Sequence, residues 1–398
     1  MCLHPSGHPD GDPSLNEIRT LNKQGDYLWK EYRNLQIDPS PDLRILNLES
    51  HITRSIDNED LPLWKGIRYH THVDNLDAMI RPYAETTHSG EHASPVCISL
   101  ANNHAAMDYG RIALDTETLP ALKSLEVSIP SICTVGCGKN WQDASKPATF
   151  NCKGKDVEVF AVSSGCSGTP KSWWADEEKS GVVGLPALTD ADAVDRAVEI
   201  TKLAMDAHSR ESSALRILSV HMGPNWALKG EDENDIACRR EYAHKVIDTC
   251  GVDLIYGHSS HHVRGMEVYK GKLILYGTGD IINDYEGFEN RGEENYSRLG
   301  GIYLVDIDAK SSDFSQLQIV PMYMNRLRLE RYREGSKLWS PKEKSLVIDK
   351  NKGRHMAAFI NKLSNIDAGS EKSALKVDYI DESLSSIPGG PILASKVY

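Results

Sequence analysis

No stretch of the chain approaches the ~18 consecutive apolar residues of a membrane-spanning helix. The first thirty residues are polar and carry neither the basic nor the apolar region of a secretion signal. The chain as it stands is therefore expected in the cytoplasm, and any leader or anchor would have to precede its first residue. Positive charge is also short: 45 Lys and Arg stand against 57 Asp and Glu, a formal net charge of −12 with no long basic run. That balance argues against non-specific binding to nucleic acid or anionic lipid, both of which need a positive field. The eight cysteines, at 2, 97, 133, 137, 152, 166, 238 and 250, are scattered through apolar stretches and read as reduced core thiols. The nearest pair, Cys133 and Cys137, lacks a second pair at zinc-site spacing. Gly136-Cys137-Gly138-Lys139 lacks the spacing and terminal Ser/Thr of a phosphate-binding Walker loop, and no internal repeat is visible.

What is present is an ordinary globular composition, 40% hydrophobic and 26% charged over 398 residues, enough to bury a substantial core. Residues 1–41 are rich in Pro, Asp and Gly and hold one expected helix, around Leu15–Leu35. From Leu43 onward strand-like runs alternate with helical ones, the pattern of a layered α/β protein whose functional groups gather at the carboxyl ends of its strands. Asp190–His208 places Val194, Ala197, Val198, Thr201, Ala204 and Met205 on one face, with a capping signature at Thr189-x-x-Asp192. Glu241–Cys250 repeats the helical pattern and ends at Gly251, before a strand at Val252–Tyr256. Thr86–Pro95 reads as an exposed loop with solvated histidines. The expected divisions are 1–41, a main domain over 42–330, and a C-terminal appendage over 331–398, with Ser385–Tyr398 flexible.

Four apolar runs end in side chains able to coordinate: LRILNLE (43–49), VCISLANNH (96–104), LRILSVHMG (215–223) and LIYGHSSHH (254–262). Glu49, Asn103, His221 and His258 offer the carboxylate, amide and imidazole mixture that Mn²⁺, Fe²⁺ or Zn²⁺ accepts. In two-metal hydrolases the ions lie about 3.5–4 Å apart and share a bridging carboxylate, for which Glu49 is the natural candidate. His261 would reach the second ion, His104 would protonate a leaving oxygen, and His262 would turn away. Each has a plainer reading. Glu49 can be a capping or surface carboxylate, Asn102-Asn103 a turn, and His221 a satisfied core histidine. Asp280 supports the histidines from behind or caps a turn. Lys171, Trp173, Asn225, Trp226 and Arg264 are candidates for contacting substrate. For them, core cover by Trp173 and ordinary surface charge at Lys171 and Arg264 are the alternatives.

With these residues in view, the chain resembles the CapA family, known from poly-γ-glutamate capsule synthesis, over about Asp42 to Leu329. NLESHITRS is similar to the family's Asn-Leu-Glu-x-x-Ile/Val-Thr segment. LANNHAAMDYG is similar to its Asn-Asn-His-x-x-x-Asp-x-Gly motif, and YGHSSHHVRGMEVYKGKLILYGTGDIINDYEG to its closing block. The resemblance implies a calcineurin-like metallophosphoesterase fold, a four-layer αββα sandwich with a dinuclear site, and the roles above for Glu49, Asn103, His104, His221, His258 and His261. Family members open with a strand ending in Gly-Asp, whose aspartate binds the first metal. This chain begins downstream of it, at a segment containing His4-Pro5-Ser6, and is expected to lack that strand and ligand. Asp10 or Asp12, in a Pro/Gly-rich segment, would replace the ligand poorly.

The expected function is a hydrolase holding one or two divalent ions that cleaves a phosphoester or related bond in capsule-type polymer metabolism. The alternative is a non-catalytic, polyanion-binding component of polyglutamate synthesis or export. Cleavage of the glutamyl amide polymer itself would use the same water chemistry. A small-molecule or polyanionic substrate is the expected partner, and oligomeric state is left open.

Overall fold

The computed structural model describes residues 26–54, 59–89, 92–208, 214–225, 231–283, 299–325, 328–333, 337–340, 345–348, 352–370, 372–388 and 390–395. Three sheets carry the mixed α/β architecture. The first is parallel, in the order β1 (Arg44–Asn47), β2 (Val96–Ser99), β3 (Ile132–Val135). The second has seven strands: β4 (Ala148–Cys152), β5 (Lys155–Ser164), β6 (Gly184–Leu185), β7 (Leu215–His221), β8 (Leu254–His258), β9 (Met266–Tyr269) and β10 (Lys272–Leu275). Its order is β6-β5-β7-β8-β10-β9, with β4 beside β5; only β4 and β9 run antiparallel to their neighbours. The third is antiparallel and comprises β11 (Leu299–Ile307), β12 (Phe314–Asn325), β13 (Arg328–Arg331), β14 (Val377–Ile380) and β15 (Ile392–Ser395).

The core follows from the alternation along these strands, since successive side chains point to opposite faces. Cys97, Val159, Ile217, Leu254, Leu273 and Ile319, drawn from all three sheets, share one buried cluster. Their neighbours turn away: Phe160, Leu218, Ile255 and Ile274 pack with Val194, Ala197, Tyr242 and Val246 of two covering helices. Val96, Ile98, Val320 and Met322 pack instead with α1 (Asp26–Arg33), α2 (Val73–Ala84) and α3 (Leu119–Ser128) through Trp29, Met79, Ile80 and Leu122. Because β2, β5, β7 and β8 are covered on both faces, their central residues, such as Val96–Ile98, Val159–Val162, Ile217–Leu218 and Leu254–Ile255, are apolar at successive positions. Buried Arg44 ties β1 to α2, donating to the carbonyls of Tyr83 (2.5 Å) and Ala84 (2.6 Å) at the end of the helix.

The two covering helices are α4 (Ala191–Asp206) and α5 (Glu233–Cys250). The cap of α4 is Asp190, whose carboxylate accepts from Ala193 N at 2.8 Å, rather than the expected Thr189. α5 starts eight residues before the expected Glu241, capped by Asp232, and ends as expected at Gly251 in the left-handed region (φ 66°). Its first half was hidden because charged residues dilute the apolar stripe. Of the expected Leu15–Leu35 helix, α1 is the described part and residues 1–25 lie outside the described set.

The C-terminal residues differ from expectation. β15 lies within the segment expected to be flexible, yet it pairs with β12 and β14, and its Ile392 and Leu393 are buried. α6 (Lys352–Asp367) packs on the second sheet through Phe359 and Leu363. His88, expected in solvent, bonds through Nδ1 to the Leu35 carbonyl at 2.9 Å and packs edge-on against Tyr32. Among the described residues no helix is long and apolar enough to cross a membrane, and the seven described cysteines are free.

Candidate functional site

The loops that leave four parallel strands at their carboxyl ends converge. Glu49 lies just beyond β1 and Asn103 just beyond β2, while His221 and His258 are the last residues of β7 and β8. His221 and His258 are register partners on adjacent strands, so their rings meet, with Nδ1 to Nδ1 at 2.7 Å. Asn102 shapes the turn that delivers Asn103. Its Oδ1 accepts from His104 N (3.0 Å) and Ala105 N (2.7 Å), and its Nδ2 donates to the Leu48 carbonyl (3.0 Å). Beyond β8, Ser259 (φ 111°) and His261 (φ 58°) occupy backbone conformations that L residues rarely adopt, a strain typical of functional loops.

The protons can be followed around the histidine pair. Burial pushes the His258 pKa down to about 3. It also holds His221 well below its ordinary value, with the neighbouring His258 and His261 acting the same way. Both rings are therefore neutral near pH 7. Ser219 Oγ donates to Ser99 Oγ at 2.8 Å, so it accepts the His258 Nε2 proton at 2.9 Å. His258 Nδ1 then accepts from His221 Nδ1–H, and His221 Nε2 is left with a lone pair. That lone pair faces Asn103 Oδ1 at 3.0 Å and Glu49 Oε1 at 3.5 Å. Glu49 Oε1 also lies 3.7 Å from His261 Nε2 and 3.9 Å from His104 Nε2, and it is buried without a hydrogen bond among the described residues. Burial raises the Glu49 pKa, against the opposing pull of His261 and His104. Among the described residues no three His, Cys, Asp or Glu side chains stand gathered at ligating distance of one point.

Asp280 faces His261 Nδ1 through both carboxylate oxygens, at 3.0 and 3.2 Å. Burial works against a charge on His261, but Asp280 and Glu49 overcome it and hold the pKa up to about 9. His262 turns away, as expected, and donates from Nδ1 to the Val263 carbonyl at 2.9 Å. His104 Nδ1–H donates to Asp108 Oδ2 at 2.6 Å, which leaves Nε2 directed toward Glu49. Asp108, fully buried, also accepts from Tyr69 N at 2.6 Å and from the ammonium of Lys65. Lys65 donates to the Asn103 carbonyl as well, and the Tyr69 ring stacks on His104 at 4.1 Å between centroids. A cavity of about 140 Å³ adjoins these groups, with Glu49, His258, His261 and Asp280 on its polar side and Met79 and Ile80 on its apolar side.

The candidate substrate contacts fare differently. Asn225 touches the histidine loop, accepting from Ser259 Oγ at 3.2 Å, and Trp226 lies outside the described residues. Lys171 is exposed at the start of a short turn. Trp173 is buried against Ala106, Met107, Leu114 and Val182, which is the core-cover alternative. Arg264 is a correction. It is 4% exposed and its Nη2 pairs with Glu231 (2.8 Å) and Asp367 (2.7 Å), so its charge is satisfied inside the protein and cannot face an anion. Lys65, Ser219 and Ser99 escaped the reading of the sequence. Asp108 stands within the motif quoted for the resemblance, at i+4 from His104, and that spacing was the available signal.

Comparison with known proteins identifies the family. The family model described as "Bacterial capsule synthesis protein PGA_cap" matches residues 11–285. A "Probable polyglutamine synthesis accessory protein" of Mycobacterium tuberculosis is 34% identical over 318 residues, 78% of this chain and 73% of that protein. The "Capsule biosynthesis protein CapA" of Bacillus anthracis is 22% identical, over 67% of this chain and 61% of its own length. The "PGA biosynthesis protein CapA" of Bacillus subtilis is 25% identical, over 56% and 50%. A solved phosphatase structure from Mycoplasma pneumoniae aligns over 63% of this chain and 87% of its own at 10% identity and a TM-score of 0.31, too low to decide anything about the fold. The family model spans well over half of the chain and the mycobacterial relative is similar over most of its length, and the protein therefore belongs to the family of the bacterial capsule synthesis protein PGA_cap.

Proposed function

We propose that this member of the CapA-like, capsule-associated family is a metal-dependent hydrolase acting on a phosphoester or related bond in polyglutamate or capsule-type polymer metabolism. Glu49, Asn103, His221, His258 and His261 would hold one or two divalent ions, Mn²⁺, Fe²⁺ or Zn²⁺. The observation that carries this reading is the meeting of acceptors at one nitrogen: the His221 lone pair faces Asn103 Oδ1 at 3.0 Å and, at 3.5 Å, the Glu49 oxygen that has no hydrogen bond among the described residues, in a buried site. Acceptors so arranged repel unless a cation lies among them, and donor atoms around a tetrahedral zinc are about 3.4 Å apart. When bound, a divalent ion supplies charge stabilisation for a developing oxyanion and acidifies water at neutral pH.

The chain's own residues do the rest. Asp108 fixes the His104 tautomer, so that Nε2 is the nitrogen able to carry a proton to a leaving oxygen. Asp280 orients the His261 ring through Nδ1. The partition of the core into one cluster shared by the sheets and two clusters under helices supports a four-layer αββα sandwich. Elemental analysis of the purified protein is expected to find one or two ions per chain, with turnover of a model phosphomonoester or phosphodiester. His258→Ala is expected to lose both; unchanged metal content and turnover in that variant would overturn the reading.

A second reading rests on the mycobacterial relative, which is named an accessory protein. In it the same fold binds polyanionic polyglutamate without cleaving it. Calorimetric titration with polyglutamate distinguishes the two, since the second reading requires binding without turnover and fails if no heat of binding is found.

A further inference from the structure

We propose that Lys65 is a positioning residue of this site, holding the Asn102–Asp108 turn so that Asn103 Oδ1 meets His221 and His104 Nε2 faces Glu49. The inference rests on the metal-site reading above. Lys65 arrives from a loop remote in sequence from the motif and touches it at three points. Its ammonium donates to the Asn103 carbonyl and to Asp108 Oδ1, and lies 3.2 Å from His104 Nδ1. The indole of Trp173 covers it at 4.6 Å, so a residue first considered for substrate contact serves as the apolar lid on this cation.

The loop inverts the usual distribution of side chains. Leu63 and Trp64 are 85% and 66% exposed and Ile67 is 56% exposed, while the Lys65 side chain between them is 11% exposed. Hydrophobic burial alone would turn the leucine and tryptophan inward and leave the lysine in water. Apart from the Trp173 ring, the contacts that outweigh that preference lie on the seven-residue turn that carries Asn103 and His104. Each of those residues is held at two places. Asn103 meets Lys65 with its backbone carbonyl and His221 with its side chain; His104 meets Asp108 at Nδ1 and turns Nε2 to Glu49. Removing the ammonium leaves the Asn103 carbonyl without this donor and Asp108 with its negative charge buried beside His104.

The test is titration of the full chain with Mn²⁺, comparing wild type, Lys65→Met and Asp367→Asn. The last breaks a buried pair on α6 and controls for general destabilisation. Lys65→Met is expected to weaken Mn²⁺ binding about 10- to 100-fold, the range for groups that orient metal ligands, while Asp367→Asn lowers the unfolding temperature without moving the affinity. Equal affinity in Lys65→Met and wild type, or equal losses in the two variants, would overturn the proposal. Wild type that binds no Mn²⁺ would overturn the metal reading instead. A crystal structure of Lys65→Met decides the positioning role in either case: the 102–108 turn is expected to shift and His104 to leave Glu49, and an unmoved turn refutes it.

Discussion

Replacing Arg264 by methionine should cost the fold about 3 kcal/mol, and the structure says how that figure arises. Breaking a buried ion pair by removing one partner typically costs about 3–5 kcal/mol, because the other charge stays behind uncompensated. Arg264 serves two carboxylates, Glu231 and Asp367, whose side chains are 6% and 1% exposed. Burial opposes its charge, but Asp367 and Glu231 offset this and keep its pKa above the ordinary value. Neither carboxylate is wholly abandoned in the variant: Glu231 keeps Arg239 at 2.6 Å, and Asp367 keeps the Gly265 N–H at 2.8 Å. The low end of the range therefore applies. Asp367→Asn retains an acceptor for Gly265 and loses only the charged partner, for about 1.5–3 kcal/mol. Once Arg264 is gone the Asp367 charge is a liability, so the double variant should cost less than the sum of the singles by about 1–3 kcal/mol. Urea unfolding followed by tryptophan fluorescence measures all three, and amide exchange should show α6 losing protection first, since Asp367 ends that helix. A single-variant cost below about 1 kcal/mol with additive behaviour would refute the reasoning.

His88 gives a pH dependence with a definite sign. Burial lowers its pKa below 6.5 against the opposing pull of the Leu35 carbonyl, so the unfolded chain takes up the proton more readily than the folded one. Its contribution is fully present above pH 6.5 and is lost as pH falls through the folded pKa. Histidine NMR should give a His88 pKa below the free value, and His88→Phe should flatten the acid limb of the stability profile; a titration at or above 6.5 contradicts the burial argument. Gly257 precedes His258 where a Cβ would come within 2.5 Å of the Leu275 carbonyl oxygen and 2.8 Å of that of Tyr276. Gly257→Ala should therefore force β8 and β10 apart and cost about 1–3 kcal/mol, with a stability change within 0.5 kcal/mol counting against so tight an approach.

The residues that were legible in the sequence and those that were not differ in what holds them. Glu49, Asn103, His221 and His258 follow buried parallel strands, and such strands announce themselves as apolar runs whose ends meet on one side of the sheets. For two of them convergence needs only strand register, since His221 and His258 are brought together by the pairing of β7 with β8, while Glu49 and Asn103 come from the first sheet and meet them through the packing of the two sheets. Lys65 and Arg264 have no such frame. Arg264 lies 103 residues from Asp367, and Lys65 lies 43 residues from Asp108. A window of the sequence shows each only as a cation among loop residues. The same holds for β15, where Ile392 and Leu393 look like part of a loose tail until β12 is beside them. Local pattern therefore reveals the side chains that a site presents, while the buried charges that orient them depend on tertiary partners and appear only in the fold. That division has a consequence for Lys65 and Arg264. As an isolated cation in a chain of net charge −12, Arg264 suggests anion binding; in the structure it joins Glu231, just before α5, to Asp367 of α6, and Lys65 braces the Asn103–His104 turn. Neither has its charge directed at a ligand, because buried carboxylates take both: Asp108 for Lys65, and Glu231 with Asp367 for Arg264.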